Sequence, residues 1–458
     1  MLHPDDLDER LPRPHHRWIR PDGRLGRLLA LGGLLLALGG CASYQPLPPT
    51  AEQAPVAVPP HQAWTLASAT AFALQHNPNL RESTLQLTLA RQQAGLAQVP
   101  PPLGLGFSLD HPWQQGLFNA FSLSASQDLS FWLQRAPRDA RIRATLRQAI
   151  LNQRWQAWQL VAAVQQQYVS LWTFSAQQRL LDTQIDWARQ RRAEAQPARA
   201  AGLITADAEA LLDARLAEWQ QAAATLEQQQ RKARVAFNQL LGVAADADTP
   251  LDPPPSPPSG VPPQPVELDQ LPQRPDLLAL HAAIDEQDAQ YRQALLDQFP
   301  AISLGLTRSQ DTSKVQTLGL GIQLVIPLFD GNRHAIAVAD TRRALAAEQY
   351  RNRLAHARAE VIALQQKQAA LQRNRVEIEQ HLRALRPTLA HAEQAMTAGL
   401  MSASSVDALR QALFAQQTAL LENTAEQQRA AYALPALAGI APAGLPPAAA
   451  ADAPSPHP

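Results

Sequence analysis

One residue in this 458-residue chain has its chemistry set by position. Cys41 is the only cysteine, and it follows Leu38-Gly39-Gly40 at the end of the apolar run Leu28–Leu38. A leader carrying Arg10, Arg13, Arg17, Arg20, Arg24 and Arg27 precedes that run. Roughly a dozen apolar residues are too few to span a bilayer as a stable helix and suit the h-region of a secretory signal. Leu38–Cys41 resembles a lipobox, where cleavage before the cysteine leaves its thiol to take a lipid. The next residue is Ala42, not the aspartate that retains enteric lipoproteins at the inner membrane, so outer-membrane sorting is expected.

No enzyme constellation accompanies this thiol. Its commitment to lipid removes cysteine catalysis and cysteine-ligated metal. His-Glu-x-x-His, P-loop and Gly-x-Ser-x-Gly patterns are missing from the sequence. His61, His76, His111, His281, His334, His356, His381 and His391 lack mutual ligand spacing. Gly104-Leu105-Gly106 and Gly319-Leu320-Gly321 contain Gly-x-Gly, but inside alternating strands rather than ahead of a helix. Lys+Arg and Asp+Glu both number 40, so bulk charge offers nothing to a nucleic acid. Neither cofactor nor metal is expected.

The elements that would position any function are repeated. His76-Asn77-Pro78-Asn79-Leu80 and Gln273-Arg274-Pro275-Asp276-Leu277 place their prolines 275 − 78 = 197 residues apart. Gly202 in AAGLITADAEAL and Gly399 in TAGLMSASSVDAL keep that offset, as do Gly242 in QLLGV and Gly439 in ALAGI. Leu129-Ser130-Phe131-Trp132 falls opposite Ile326-Pro327-Leu328-Phe329 in the same register. One offset through four landmarks signals tandem duplication. The chain divides into a signal segment (1–40), a Pro-rich tether (41–63), two repeats (64–243 and 275–440) around a Pro-rich linker (244–274), and an Ala/Pro-rich tail (441–458).

Each repeat reads as helix, strand, turn, strand, long helix, turn, helix. The first has helix over about 65–98, with Pro78 as a restart, strands at 103–109 and 121–129, and helices near 137–196 and 206–241. The second has a helix near 275–297, strands at 301–308 and 317–326, and helices near 333–397 and 402–437. Helices of about 60 residues extend roughly 90 Å and must pack side by side. Gly202 and Gly399 are expected to turn one helix into the next, with Thr205 or Ser402 as N-cap. Pro387 is expected to kink its helix.

All four strands alternate. Leu103, Leu105, Phe107, Phe121, Leu123, Leu304, Leu320, Ile322 and Leu324 fall on apolar faces, backed by Gly, Ser, Thr, Gln or Asp. Each strand has the length that crosses an outer-membrane hydrocarbon layer when tilted, with small polar residues toward a lumen. An open sheet edge in lipid leaves backbone groups unpaired, and single-chain barrels begin at eight strands. Four strands therefore require several copies to close a barrel. Leu129, Phe131 and Trp132 in one repeat, and Pro327, Phe329 and Gly331 in the other, mark the joint between barrel and helices. Pro327 ends the ladder because it has no N–H to donate.

The order of these motifs resembles the TolC-like outer-membrane efflux proteins, above all in Ile326-Pro327-Leu328-Phe329-Asp330-Gly331-Asn332-Arg333. The resemblance covers about residues 65–440, and with Cys41 it points to the acylated branch. It implies a mainly α fold with a small membrane β-barrel. Three protomers would share 12 strands and a helical tunnel across the periplasm, docked to an adaptor and an inner-membrane pump. It also implies a periplasmic gate of inward carboxylates after the second-repeat glycine. Here that place holds Ser404 or Ser405, with Asp407 slightly later and Asp207 as the nearest acid of the first repeat. A ring of carboxylates would repel itself and attract cations. Acids in the first turn of a helix are also favoured by its dipole, the reading preferred for Asp207. A type I secretion duct and a periplasmic coiled-coil lipoprotein scaffold are the alternative functions.

Overall fold

The computed structural model describes residues 44, 63–254, 268–326, 329–442 and 444–445. Cys41, Pro327 and Leu328 lie outside the described residues, as do the leader, most of the tether and tail, and linker residues 255–267.

The first repeat runs α1 (Leu66–His76), α2 (Pro78–Gln98), β1 (Gly104–Asp110), β2 (Ala120–Asp128), a single-turn α3 (Ser130–Leu133), α4 (Arg135–Ala200) and α5 (Ala206–Leu241). The second runs from a 3-10 turn (Leu268–Gln273) to α6 (Pro275–Leu296), β3 (Ala301–Gln310), β4 (Gln316–Val325), α7 (Arg333–Thr397) and α8 (Ala403–Ala438). The 197-residue offset holds at helix ends: Pro78 and Pro275 both stand at the first helical position, and Leu241 maps onto Ala438. Proline is suited to that position because its missing N–H would have no partner there anyway. The strands sit within two residues of the expected bounds, and Leu103 and Leu129 fall just outside them.

At 1.5 Å per residue, the 66 residues of α4 extend about 100 Å. Such a rod is stable only if it is packed along its length. α4 lies against α2, α5, α6 and α8, while α7 lies against α6 and α8. The two repeats bury equivalent positions: Leu160, Val164 and Phe237 in the first are Ala357, Val361 and Leu434 in the second. Trp64 stitches the chain preceding α1 to the start of the linker. Its N–H donates to Pro250 O, its carbonyl accepts from Asp252 N–H, and the buried Tyr168 hydroxyl caps that carbonyl at 2.6 Å.

Pro387 does not interrupt α7, which is helical from Arg333 to Thr397. The lost hydrogen bond is tolerated because Leu382, Leu389 and Ala392 around it are buried, the last two in a cluster with Val406 of α8.

Candidate functional site

The four strands form one antiparallel meander, β1-β2-β3-β4. Its register turns four separate alternations into two continuous surfaces. One cross-strand row reads Leu105, Ala125, Leu306, Leu320, and another reads Phe107, Leu123, Arg308, Leu318. Lower rows add Leu304 opposite Ile322 and Ile302 opposite Leu324. The reverse face carries Gly106, Ser124, Thr307 and Gly319, with Gly104, Ser126, Gly305 and Gly321 beside them. The apolar face is bare: Leu105 is 74% exposed, Leu320 73% and Ile322 67%. A water-soluble sheet of this size would cover such a face. Phe121 is on the same side but half-buried. The outer edges of β1 and β4 have no strand partner among the described residues.

The two repeats join sheet to helix by different devices. After β2, Leu129 N–H still reaches Ile302 O, and the Asp128 carboxylate accepts from Ser130 N–H to start α3. Phe131 packs edge-on against Trp132, and the Arg138 guanidinium lies 3.9 Å over the Phe131 ring. After β4, Gly331 and Asn332 both take positive φ, the Asp330 carboxylate accepts from Arg333 N–H, and Asn332 Nδ2 donates to Ala294 O. The joint is thus made twice but not alike, because the first repeat lacks an Asp-Gly-Asn turn. Trp132 and Phe329 are exposed at this level, as amphipathic or apolar rings are at membrane boundaries.

At the far end of the helices the repeats agree closely. Leu203 N–H donates to Ala198 O and Leu400 N–H to Ala395 O, with Gly202 (φ 71°) and Gly399 (φ 77°) between. This is the Schellman pattern, which needs a left-handed residue that glycine adopts without a Cβ penalty. Thr205 Oγ1 then accepts from Ala208 N–H, and Ser402 Oγ from Ser405 N–H, capping α5 and α8.

Of the candidate gate residues, Asp207 is exposed in the first turn of α5, and Ser404 occupies the equivalent place in α8. Ser404 and Ser405 are exposed, and both hydroxyls hydrogen-bond to Ser402 Oγ. Asp407 is different. It is half-buried where α8 meets the first repeat, facing Arg191 of α4, Arg215 of α5 and Arg410 of its own helix. Those arginines are committed elsewhere: Arg191 to Glu194 at 2.8 Å, Arg215 to Glu218 at 2.6 Å, and Arg410 to Glu393 and the Trp187 ring. One carboxylate oxygen of Asp407 has no hydrogen-bond partner.

Burial pushes the Asp407 carboxyl above its ordinary range, and the three guanidiniums only partly oppose this. A carboxyl whose folded pKa is raised costs stability above that pKa, and the cost disappears as pH falls below the unfolded value. Asp407→Asn should therefore gain thermal stability relative to the parent at pH 7, and the gap should close between pH 7 and about pH 4. Thermal melts of both proteins across that range read it directly. A gap that widens on acidification would mean that the arginines dominate.

Sequence patterns did not single out the structural ion-pair network of Arg274, Asp276, Arg353 and Glu360, which links α6, α7 and the 3-10 turn, with Arg274 and Asp276 buried and Arg353 and Glu360 partly exposed. Its only linear signal is the Arg-Pro-Asp of the second repeat, where the first has Asn-Pro-Asn. No group of His, Cys, Asp and Glu that could hold a metal is found among the described residues. Nor is any helix among them long and apolar enough to cross a membrane.

The described residues thus place a bare amphipathic four-stranded meander on a duplicated bundle of helices, the longest some 100 Å. Residues 269–440 match the family model described as outer membrane efflux protein, so the second repeat is an outer membrane efflux protein domain. Solved structures share the fold at low identity. CusC aligns at 20% identity with TM-score 0.70, covering 87% of this chain and 99% of CusC. VceC from Vibrio cholerae gives 19% and 0.69, with coverages of 82% and 96%. The open-state MtrE channel of Neisseria gonorrhoeae gives 18% and 0.67, with coverages of 87% and 97%. No curated protein sequence matches the chain.

Proposed function

We propose that copies of this chain assemble into a passive efflux duct. Their sheets would close a barrel in the outer membrane, and their helices would carry the lumen into the periplasm. The observation that carries this reading is the sheet: one face is predominantly apolar and largely exposed, the other is rich in Gly, Ser and Thr, and both edges are open among the described residues. Lipid accepts the first face, water the second, and neighbouring copies the edges. A periplasmic scaffold would leave that apolar face without a use. Three copies supply 3 × 4 = 12 strands, the number the family resemblance favours. An adaptor and an inner-membrane pump would deliver substrate at the helical tip, and substrate choice would rest with them.

Extracted in mild detergent, the protein should migrate as a heat-modifiable trimer and conduct in planar bilayers. A monomer recovered from the inner membrane would sink the proposal.

Acylation at Cys41 is part of the same reading, supported by the lone thiol after Leu38-Gly39-Gly40. Cys41→Ser should abolish incorporation of labelled fatty acid while leaving the duct assembled, because Cys41 precedes both repeats. Undiminished labelling would refute the lipobox.

A further inference from the structure

Among the described strand residues, the apolar face of the sheet carries one charged side chain, Arg308. Its row neighbours are Leu123 on β2 and Leu318 on β4, with Phe107 one strand further. The adjoining rows on that face hold Leu105, Ala125, Leu306 and Leu320 on one side and Leu109, Phe121, Gln310 and Gln316 on the other. No carboxylate is among them. Arg308 is exposed and has no hydrogen bond or ion pair within the described chain. Each of the other arginines in β-strand-flanking segments has a use: Arg138 holds Phe131 O, and Arg333 reaches Asp330 O.

An unpaired guanidinium facing hydrocarbon is costly at mid-depth and far less so near the interface. The register gives the depth. From Ile326, where the exposed apolar face begins, to Leu318 opposite Arg308 is eight residue steps. At about 3.4 Å per step and a tilt near 40°, that is roughly 21 Å of height within an apolar band about 25 Å tall. The rest of the band is shorter than an extended arginine side chain, so the guanidinium reaches the far headgroup layer by snorkelling. The hairpin ends beyond it carry exposed Trp113, Phe118 and Val315, consistent with that boundary.

We infer that Arg308 binds a phosphate group of an outer-leaflet lipid, seated on the apolar shelf formed by Leu123, Leu306 and Leu318. The planar guanidinium offers two parallel N–H donors to phosphate oxygens, and the shelf takes the acyl chains. The inference rests on the barrel reading, because only a sheet in the outer membrane meets such a lipid.

The test is native mass spectrometry of the purified trimer in mild detergent. It would be titrated with bisphosphorylated lipid A, with its dephosphorylated form, and with the phosphorylated lipid plus millimolar inorganic phosphate. The parent should retain the phosphorylated lipid about tenfold better than the dephosphorylated one. Arg308→Leu should erase that preference, and Arg308→Lys should restore part of it. Equal retention by parent and Arg308→Leu, in trimers that still conduct, would overturn the arginine alone. Equal competition by inorganic phosphate would overturn the lipid as ligand. A chain that neither trimerises nor inserts would overturn the barrel reading and this inference with it.

Discussion

Leu320→Arg should nearly abolish outer-membrane trimer. Leu320 lies in the middle of β4, opposite Leu306, on the exposed apolar face. A guanidinium there sits near the membrane midplane, where it costs about 2–4 kcal/mol per copy. Symmetry repeats the cost, so a trimer loses roughly three times as much, comparable to the whole stability of a typical domain. Gly321→Ser is the matched control. It changes the next residue on the opposite face, where an added Cβ meets only Gly305 O at 4.0 Å and a hydroxyl joins a row already containing Ser126. Trimer yield from isolated outer membranes should collapse for the first substitution and hold for the second. Equal yields would mean that the sheet's faces are assigned to the wrong solvents.

Why that sheet was legible in advance, and other parts were not, follows from the range of the forces involved. Alternation is a local property, so Leu318, Leu320, Ile322 and Leu324 declare one face before any partner strand is known. Duplication doubled the evidence at Pro78/Pro275, Gly202/Gly399 and Gly242/Gly439, each of which proved to be a helix start or a left-handed cap. The first-repeat joint was less legible, because α3 is fixed by an Asp128–Ser130 contact and by Arg138 reaching back to Phe131. Pro387 sits inside an unbroken α7 because its local cost is outweighed by tertiary burial on both sides. The surroundings of Asp407 come from Arg191 and Arg215, about 200 residues upstream, which no pattern near Gly399 could reveal.

The buried arginine network gives the second large effect and shows the two repeats solving one problem with different chemistry. In the first repeat Asn77 caps α2 through Leu80 N–H, and its Nδ2 donates to Leu240 O near the end of α5. In the second, Arg274 occupies the same place and donates to Leu437 O, the equivalent carbonyl of α8. The longer side chain is fully buried and brings a charge, which Asp276 neutralises through two hydrogen bonds of 3.0 and 2.7 Å. Arg353 braces Asp276 at 2.8 Å and Glu360 at 2.9 Å, and Trp155 of the first repeat stacks 4.8 Å from the Arg274 guanidinium. Removing one member of a buried pair costs about 3–5 kcal/mol; here Arg353 still braces Asp276, so the loss is that of the Arg274 contacts and of a carboxylate left with one cation in place of two. Arg274→Asn should therefore lower the heat-dissociation temperature of the trimer sharply. Arg274→Asn combined with Asp276→Asn transplants the neutral Asn-Pro-Asn of the first repeat and should recover most of the loss, since Asn79 is the native counterpart of Asp276. If the double variant is no better than the single, the penalty lies in lost packing around Trp155 rather than in a stranded carboxylate. If the single variant is as stable as the parent, the network contributes nothing to holding α6, α7 and α8 together.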